Sequence, residues 1–592
     1  MALHLLAHPK LQNGIRYCYY TLSQSYREEG RVRKRIVAPL GKLSDEQAEA
    51  IRATLRIKND PSLRLLSLSE IECTRQVRYL DVAVFHELWN VLEFSEGIPA
   101  GSGDVELSKL LELLVINRCC EPKSKLGVTR WLGTTALASM LQMAVSSISE
   151  SRLYRALPAI EAHHGWLEEH LFKRFRSLET AESSSLYFYD LSSSYFEGEN
   201  VSMAAFSEHS KDHRPDRLQV MLGLLMNEKG LPFSWELFPG NQGEAPTLPH
   251  QLQKFQQRFG VERAVLIFDR GFLSESNLRK VEEAGYQYVT GLDAPQIEML
   301  LTLTRQDWLS SLQADSAEEI VSKQKGWHRF DETQFYCPLG IINGRQTVLL
   351  FDVARYRLAT LRRQEKIDAF KQWIARHNEW LATFKKDASE KAIRKDVETE
   401  LEKHRLSPYV RYALRSTRTE NQTFTRRKDN PYPSQGHWRS IRSFHIEIVD
   451  ERNQHSLDGV FALITSKNSP LGSKEVIHAY RQKYLIEAAF RGMKSILKLR
   501  PWFVYKDEHV KAHYTICVLA YVLERLLDLK LEETGLKDEG LTLGQLKEDL
   551  ERYRLLDLSI GGKTHTVLQS VPAKTQSILK KLALSRTLSP LL

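Results

Sequence analysis

Three carboxylates stand where they could do chemistry. Asp190 ends the apolar run Leu186-Tyr-Phe-Tyr, and Asp269 ends Ala264-Val-Leu-Ile-Phe. A charge that closes a buried strand is costly unless it reaches the sheet's edge or a partner. Strand C-terminal ends are also where open α/β sheets bind ligands. Either Asp alone equally fits a turn former or a helix cap; the pair, on strands expected to be neighbours, is more specific. The third acid is Glu487. On a helix expected from Glu475 to Leu499 and stopped by Pro501, about 100° per residue puts Tyr480, Lys483, Glu487, Arg491 and Lys494 within one arc of roughly 80°. The other positions (Tyr484, Leu485, Ile486, Ala488, Ala489, Phe490, Met493, Ile496) are largely apolar. The helix therefore reads as largely buried, with one acid, three bases and a tyrosine in a narrow stripe. The alternative is an i, i+4 salt-bridge stripe on a solvated face.

Asp, Asp and Glu are hard oxygen ligands that suit Mg²⁺ or Mn²⁺. Two such ions about 3.5–4 Å apart activate a nucleophile and stabilise the leaving oxygen in phosphodiester cleavage. Bases on the same stripe would hold phosphates beside them. The charge distribution points the same way. The 592-residue chain has 83 Lys/Arg and 74 Asp/Glu, a net +9. Between Arg355 and Arg442 there are 22 bases and 11 acids, so that segment carries +11 and the rest −2. Trp373, Trp380, Phe384, Tyr409, Tyr412, Tyr432 and Trp438 interleave it. Stacking groups among phosphate-binding groups favour nucleic acid over a merely solvated helical face.

The elements that must position these groups follow from the pattern. Residues 14–41 read as a β-hairpin with a basic second strand, and Ser44-Asp-Glu-Gln opens a helix. Residues 81–178 have helical periodicity. From Ser183 the pattern turns to strands: 186–190, then 218–226 and 231–237 about a turn at Asn227–Gly230. A strand at 264–269, a helix at 274–284 and a strand from Tyr286 complete a βαβ unit. Residues 295–350 are mixed and 355–405 are charged and helical. Strands are expected at 443–449 and 460–465, an apolar helix at 510–529, and short helices beyond 531. The expected domains are 1–75 (hairpin and helix), 76–180 (helical), 181–294 (core, first part), 295–455 (basic insertion), 456–530 (core, second part) and 531–592 (tail). No run of 18 apolar residues, no secretory signal and no C-x-x-C pair occur, so a reduced cytoplasmic protein without a membrane span is expected.

Tyr480-x-x-Lys483-x-x-x-Glu487-x-x-x-x-x-x-Lys494 resembles the Y-(2)-R-(3)-E-(6)-K signature of DDE transposases of the insertion-sequence-4 type. Asp190 in Tyr-Asp-Leu-Ser-Ser-Ser-Tyr-Phe and Asp269 in Ile-Phe-Asp-Arg-Gly-Phe look like that family's first and second catalytic acids. Ser210-Lys-Asp-His-Arg-Pro-Asp-Arg-Leu-Gln-Val220, Pro239-Gly-Asn-Gln, Asp458-Gly-Val-Phe and Leu499-Arg-Pro-Trp resemble the group named for insertion sequence 1634. The resemblance implies an α/β, multidomain chain whose ribonuclease-H-like core is interrupted by a large insertion and preceded by a helical N-terminal region. It implies cut-and-paste transposition with Asp190, Asp269 and Glu487 as catalytic metal ligands for two Mg²⁺ ions, which Mn²⁺ could replace. Tyr480, Lys483, Arg491 and Lys494 would bind DNA. An insertion tryptophan (Trp327, Trp373, Trp380 or Trp438) would stack on a flipped base. The partners would be the element's terminal inverted repeats, target DNA and a second copy in a synaptic dimer. The family's arginine slot holds Lys483, which keeps a point charge but loses bidentate phosphate recognition.

Three rivals remain from sequence: a ribonuclease-H-like nuclease without strand transfer, an inactive DNA-binding protein of transposase descent, and an acyl or phosphoryl hydrolase using Asp190 or Ser192–Ser194. The absence of G-x-S-x-G weakens the last. His209 and His213 read as surface or DNA-proximal rather than zinc ligands.

Overall fold

The chain divides into two units, one made of residues 1–153 with 530–592 and the other of 154–529. The computed structural model describes residues 3–590 except 13–14, 29–30, 60–70, 95–97, 99–105, 179–185, 199–200, 208–211, 213, 307, 310–311, 313–315, 384–387, 424–436, 453–454, 456 and 561.

The larger unit is built on a nine-stranded sheet. Its strands in chain order are β1 (Leu186–Tyr195), β2 (Gln219–Asn227), β3 (Pro232–Pro239), β4 (Val265–Phe268), β5 (Gln287–Gly291), β6 (His328–Arg329), β7 (Gln334–Ile342), β8 (Arg345–Asp352) and β9 (Val460–Ser466). They lie side by side in the order β6-β7-β8-β9-β5-β4-β1-β2-β3. The β3-β2-β1-β4-β5 half has β1, β2 and β3 antiparallel and β4 and β5 parallel to β1. That is the strand order the resemblance implies for a ribonuclease-H-like core. β2 is buried along its whole length and β4 likewise, which is why both read as unbroken apolar runs rather than alternating ones. The β2–β3 turn closes on Asn227, whose side chain accepts from the N–H groups of Lys229 and Leu231. Helix Asp507–Glu533 reaches this sheet through the Tyr514 hydroxyl, which donates to Gly223 O at 3.0 Å, and through Thr515, which accepts from the Trp235 indole at 2.9 Å.

The segment expected as one insertion, 295–455, does two jobs. Residues 328–352 are β6–β8 and extend the central sheet by pairing β8 with β9. Alternating strands announce a half-buried sheet but not which sheet they join, so sequence pattern alone left them in the insertion. The separate body begins in helix Val353–Ala382. It adds helix Glu390–His404 and the ribbon Val410–Thr423 with His437–Glu451, around a core of its own that includes Ile367, Phe370, Ile374, Val397, Phe444 and Ile446.

In the smaller unit, the expected hairpin is a three-stranded sheet, because Leu3–Gln12 pairs with Ile15–Glu28, which pairs with Arg31–Lys42. Ser44 caps the next helix, accepting from the Gln47 N–H while its own N–H donates to Gln47 Oε1. The tail is not all helical. Arg554–Ile560 pairs with Lys563–Leu568 and with Ile71–Arg78. Among the described residues no helix is long and apolar enough to cross a membrane.

Candidate active site

Parallel pairing of β1 with β4 ends at Tyr189 opposite Phe268, so Asp190 and Asp269 are the next residues of two adjacent strands. Asp190 does not end its strand as expected. β1 runs on to Tyr195 because β2 continues to pair with it, Asp190 facing Leu224. Asp190 is buried. Asp269 leaves β4 and caps the turn Arg270–Phe272, accepting from the Arg270 N–H at 2.8 Å. Strand alternation puts Asp190, Ser192 and Ser194 on one face. Ser192 Oγ accepts from Lys494 Nζ at 2.9 Å and Ser194 Oγ from the Trp502 indole at 3.0 Å, so that face looks toward the segment carrying Glu487.

The helix expected over 475–499 is two helices, Ser473–Arg481 and Tyr484–Ser495. At the junction the Lys483 N–H donates to Tyr480 O and the Leu485 N–H to Gln482 O, so the turn is tightened to i→i−3 bonds. Lys483 itself stays in the right-handed helical region, so the stripe survives the break. Its exposed face is wider than the sequence implied: Tyr484 and Ile496 are 62% and 58% exposed, and burial falls on Leu485, Ile486, Ala489, Phe490 and Met493.

Lys483 Nζ donates to Asp269 Oδ2 at 2.7 Å and stands 3.6 Å from Glu487 Oε1. Burial pushes the Lys483 ammonium toward neutrality, but the charges of Asp269 and Asp190, the Asp269 hydrogen bond and Tyr480 more than offset it and hold its pKa above the ordinary lysine value. Burial, then the charge of Asp269, raises the Tyr480 phenol. Tyr480 Oη lies so close to Gly291 that a β-carbon there would meet it at 3.1 Å. Lys494 Nζ also pairs with Asp212 at 3.1 Å, and Arg500 pairs with the other Asp212 oxygen at 3.2 Å. Arg491 is exposed.

A divalent ion suits this donor set. Asp269 and Glu487 already converge on one cation, the Lys483 ammonium, and the charge of Asp190 bears on the same cation. All the donors are hard oxygens. As the side chains stand, no three His, Cys, Asp or Glu among the described residues are grouped closely enough to hold a metal ion.

The four tryptophans separate. Trp327 is a buried core residue whose indole donates to Gln306 Oε1, which removes it as a stacking platform. Trp373 lies between Phe370 and His377. Trp380 is 49% exposed beside His377. Trp438 falls in a strand opposite Gln422, and its side chain lies outside the described residues, as do His209 and His213. Sequence reasoning missed Asp212, Ser192 as a lysine acceptor, and the partners of Arg481, which pairs with Asp331 and lies over Phe330. The spacing of Ser192 two residues beyond Asp190 was the available signal for one of them.

Residues 201–523, more than half of the chain, match the family described as transposase DDE domain. The chain belongs to the DDE transposase family. Residues 9–62 of this transposase match the N-terminal domain of IS1634 family transposases. Both matches make the chain a DNA transposase. No curated protein matches it. Among solved structures it aligns with a piggyBac transposase, in a cryo-EM structure of its synaptic complex with hairpin DNA, at 8% identity and a TM-score of 0.31 over 81% of this chain and 82% of that one.

Proposed function

We propose that the transposase moves its own element by cut and paste, with Asp190, Asp269 and Glu487 as the acid triad. One observation carries this: two acids directly follow the last parallel pair, Tyr189–Phe268, of two adjacent strands, and a single ammonium from the helical stripe joins the second acid to the third. The three carboxylates would hold two Mg²⁺ ions, or Mn²⁺, which supply an activated water and stabilise the leaving 3′-oxygen. The fold does the positioning. Pairing with β2 fixes Asp190, the Arg270 N–H fixes Asp269, and Glu487 sits half exposed where a DNA end can approach. Arg491 faces solvent on the same stripe and suits a phosphate contact. Tyr480 and Lys483 border the acids, and Lys494 ties the helix to β1 through Ser192. The freed 3′-hydroxyl attacks the opposite strand to give a hairpin, which is reopened before transfer into target DNA. A dimer on the terminal inverted repeats, working in the bacterial cytoplasm, completes the reading.

The test is excision of the element from a plasmid with its native flanks. Glu487→Gln keeps shape but removes a ligand charge, so excision is expected to fall by at least about a hundredfold, with binding to the element's ends retained. Undiminished excision by this variant would remove Glu487 from the site. Cleaved ends without strand-transfer products would reduce the protein to a nuclease.

A further inference from the structure

Lys483 does not behave as a waiting phosphate ligand. Only 8% of the residue is exposed, and its ammonium is spent on Asp269 at 2.7 Å and Glu487 at 3.6 Å. We infer that Lys483 is a resident counter-ion that occupies the position between Asp269 and Glu487 in the free transposase and yields it when a DNA phosphate offers a replacement anion. This rests on the triad reading above.

Three observations support it. First, a divalent ion and an ammonium compete for the same two carboxylates, since like charges at close range repel in a partly buried site. Second, all three acids act on that one ammonium, Asp269 and Glu487 at 2.7 and 3.6 Å and Asp190 through its charge. Third, the residue is a lysine. A flexible stem with a compact charge can exchange one anion for another, whereas a guanidinium fork is held by its geometry. The junction turn at 482–483, tightened to i→i−3 bonds, places the stem's root at the one irregular point of the stripe. Arg491, exposed on the same stripe, marks the side from which a phosphate arrives. Metal loading would thereby be coupled to capture of the DNA end, which keeps the free protein from cutting DNA at random.

The experiment measures Mn²⁺ binding by the full chain, through the loss of the free-ion EPR signal, with and without a duplex carrying the element's end. Wild type alone is expected to bind Mn²⁺ weakly and more tightly once the duplex is added. Lys483→Met is expected to bind about 10–100-fold more tightly than wild type without DNA, and the duplex should then add little. Asp269→Asn in the Lys483→Met background should abolish the gain. Equal affinities for wild type and Lys483→Met, both lost with Asp269→Asn, would overturn the counter-ion role and leave the triad standing. No Mn²⁺ binding sensitive to Asp269→Asn in any variant would overturn both. If Lys483→Met does not fold, Lys483→Gln, which keeps a hydrogen-bond donor, gives the same comparison.

Discussion

Gly240 shows what a single residue of a sequence motif is for. It sits in Pro239-Gly-Asn-Gln just past β3, and a β-carbon there would lie 2.2 Å from Gln219 O and 2.5 Å from Ala205 O. Both obstacles are backbone, held by the mutual Ala205–Gln219 bridge, so neither can swing aside. Gly240→Ala should therefore cost about 1–3 kcal/mol, as overpacking does. A lowered denaturation midpoint would show it, and an unchanged midpoint would mean that the bridge relaxes. Gly459, in Asp458-Gly-Val-Phe, is held on two counts: φ is +70° and its missing β-carbon would come within 2.5 Å of Asp352 O. The sequence offers both motifs as patterns and hides their reason, because close backbone approach between segments far apart in the chain leaves no local trace. The acids were more legible. Asp190 and Asp269 break apolar runs, and that contrast is local. Asp212 was not, because its value lies in Lys494 and Arg500, nearly three hundred positions away.

At the scale of elements, the helical stripe was readable because 100° per residue survives a tightened turn. The burial of that helix was overestimated because apolar residues such as Tyr484 and Ile496 are not obliged to be inside. Another attachment between elements was invisible in sequence. Glu168, on helix His164–Leu178, is fully buried. It accepts from Ser234 Oγ at 2.6 Å and the Trp235 N–H at 3.0 Å on β3, and it pairs with Lys254 of helix Leu248–Gln257 and with Arg258. Burial alone would raise its pKa, but the His164 hydrogen bond and charge, Lys254 and Ser234 prevail and lower it to about 2. The folded value lies below the ordinary 4.5, so the stabilisation is present above about pH 4.5 and is lost as pH falls toward 2. Glu168→Gln removes a counter-charge from Arg258 and from Lys254, which keeps Glu236 at 3.3 Å. It should destabilise by about 3 kcal/mol at neutral pH, the lower end for a broken buried pair because Arg258 is partly solvent-screened. Denaturant midpoints for wild type and variant should converge as pH approaches 2. A gap that is constant with pH would show that packing, not charge, is what Glu168 contributes.

For the molecule as a whole, the central question is how a basic body can be housed inside a catalytic sheet. The chain leaves the sheet at Asp352 and returns at Gly459, whose carbonyl accepts the Asp352 N–H at 2.8 Å, beside the Phe351–Val460 pair. Exit and re-entry are therefore neighbours, and β8 and β9 pair without the body between them. The start of helix Val353–Ala382 packs Val353 and Tyr356 into the core under β7–β9, while Ile367, Phe370 and Ile374 belong to the other core. The boundary falls within one helix, which is why no loop announced it, although the basic composition begins there, at Arg355. Replacing residues 357–456 by a short flexible linker should leave the nine-stranded sheet folded, at the cost of the buried Arg363–Asp458 pair. It also deletes 22 bases and 14 acids, including all the charges of the basic segment but Arg355. DNA affinity should fall, and the plot of log affinity against log salt should flatten by about 0.9 for every phosphate the protein no longer neutralises. Circular dichroism would establish the fold and salt titration of duplex binding the slope. A folded deletion variant with the slope of the full chain would place the phosphate-binding groups elsewhere in the chain and make the +11 segment a solvated surface.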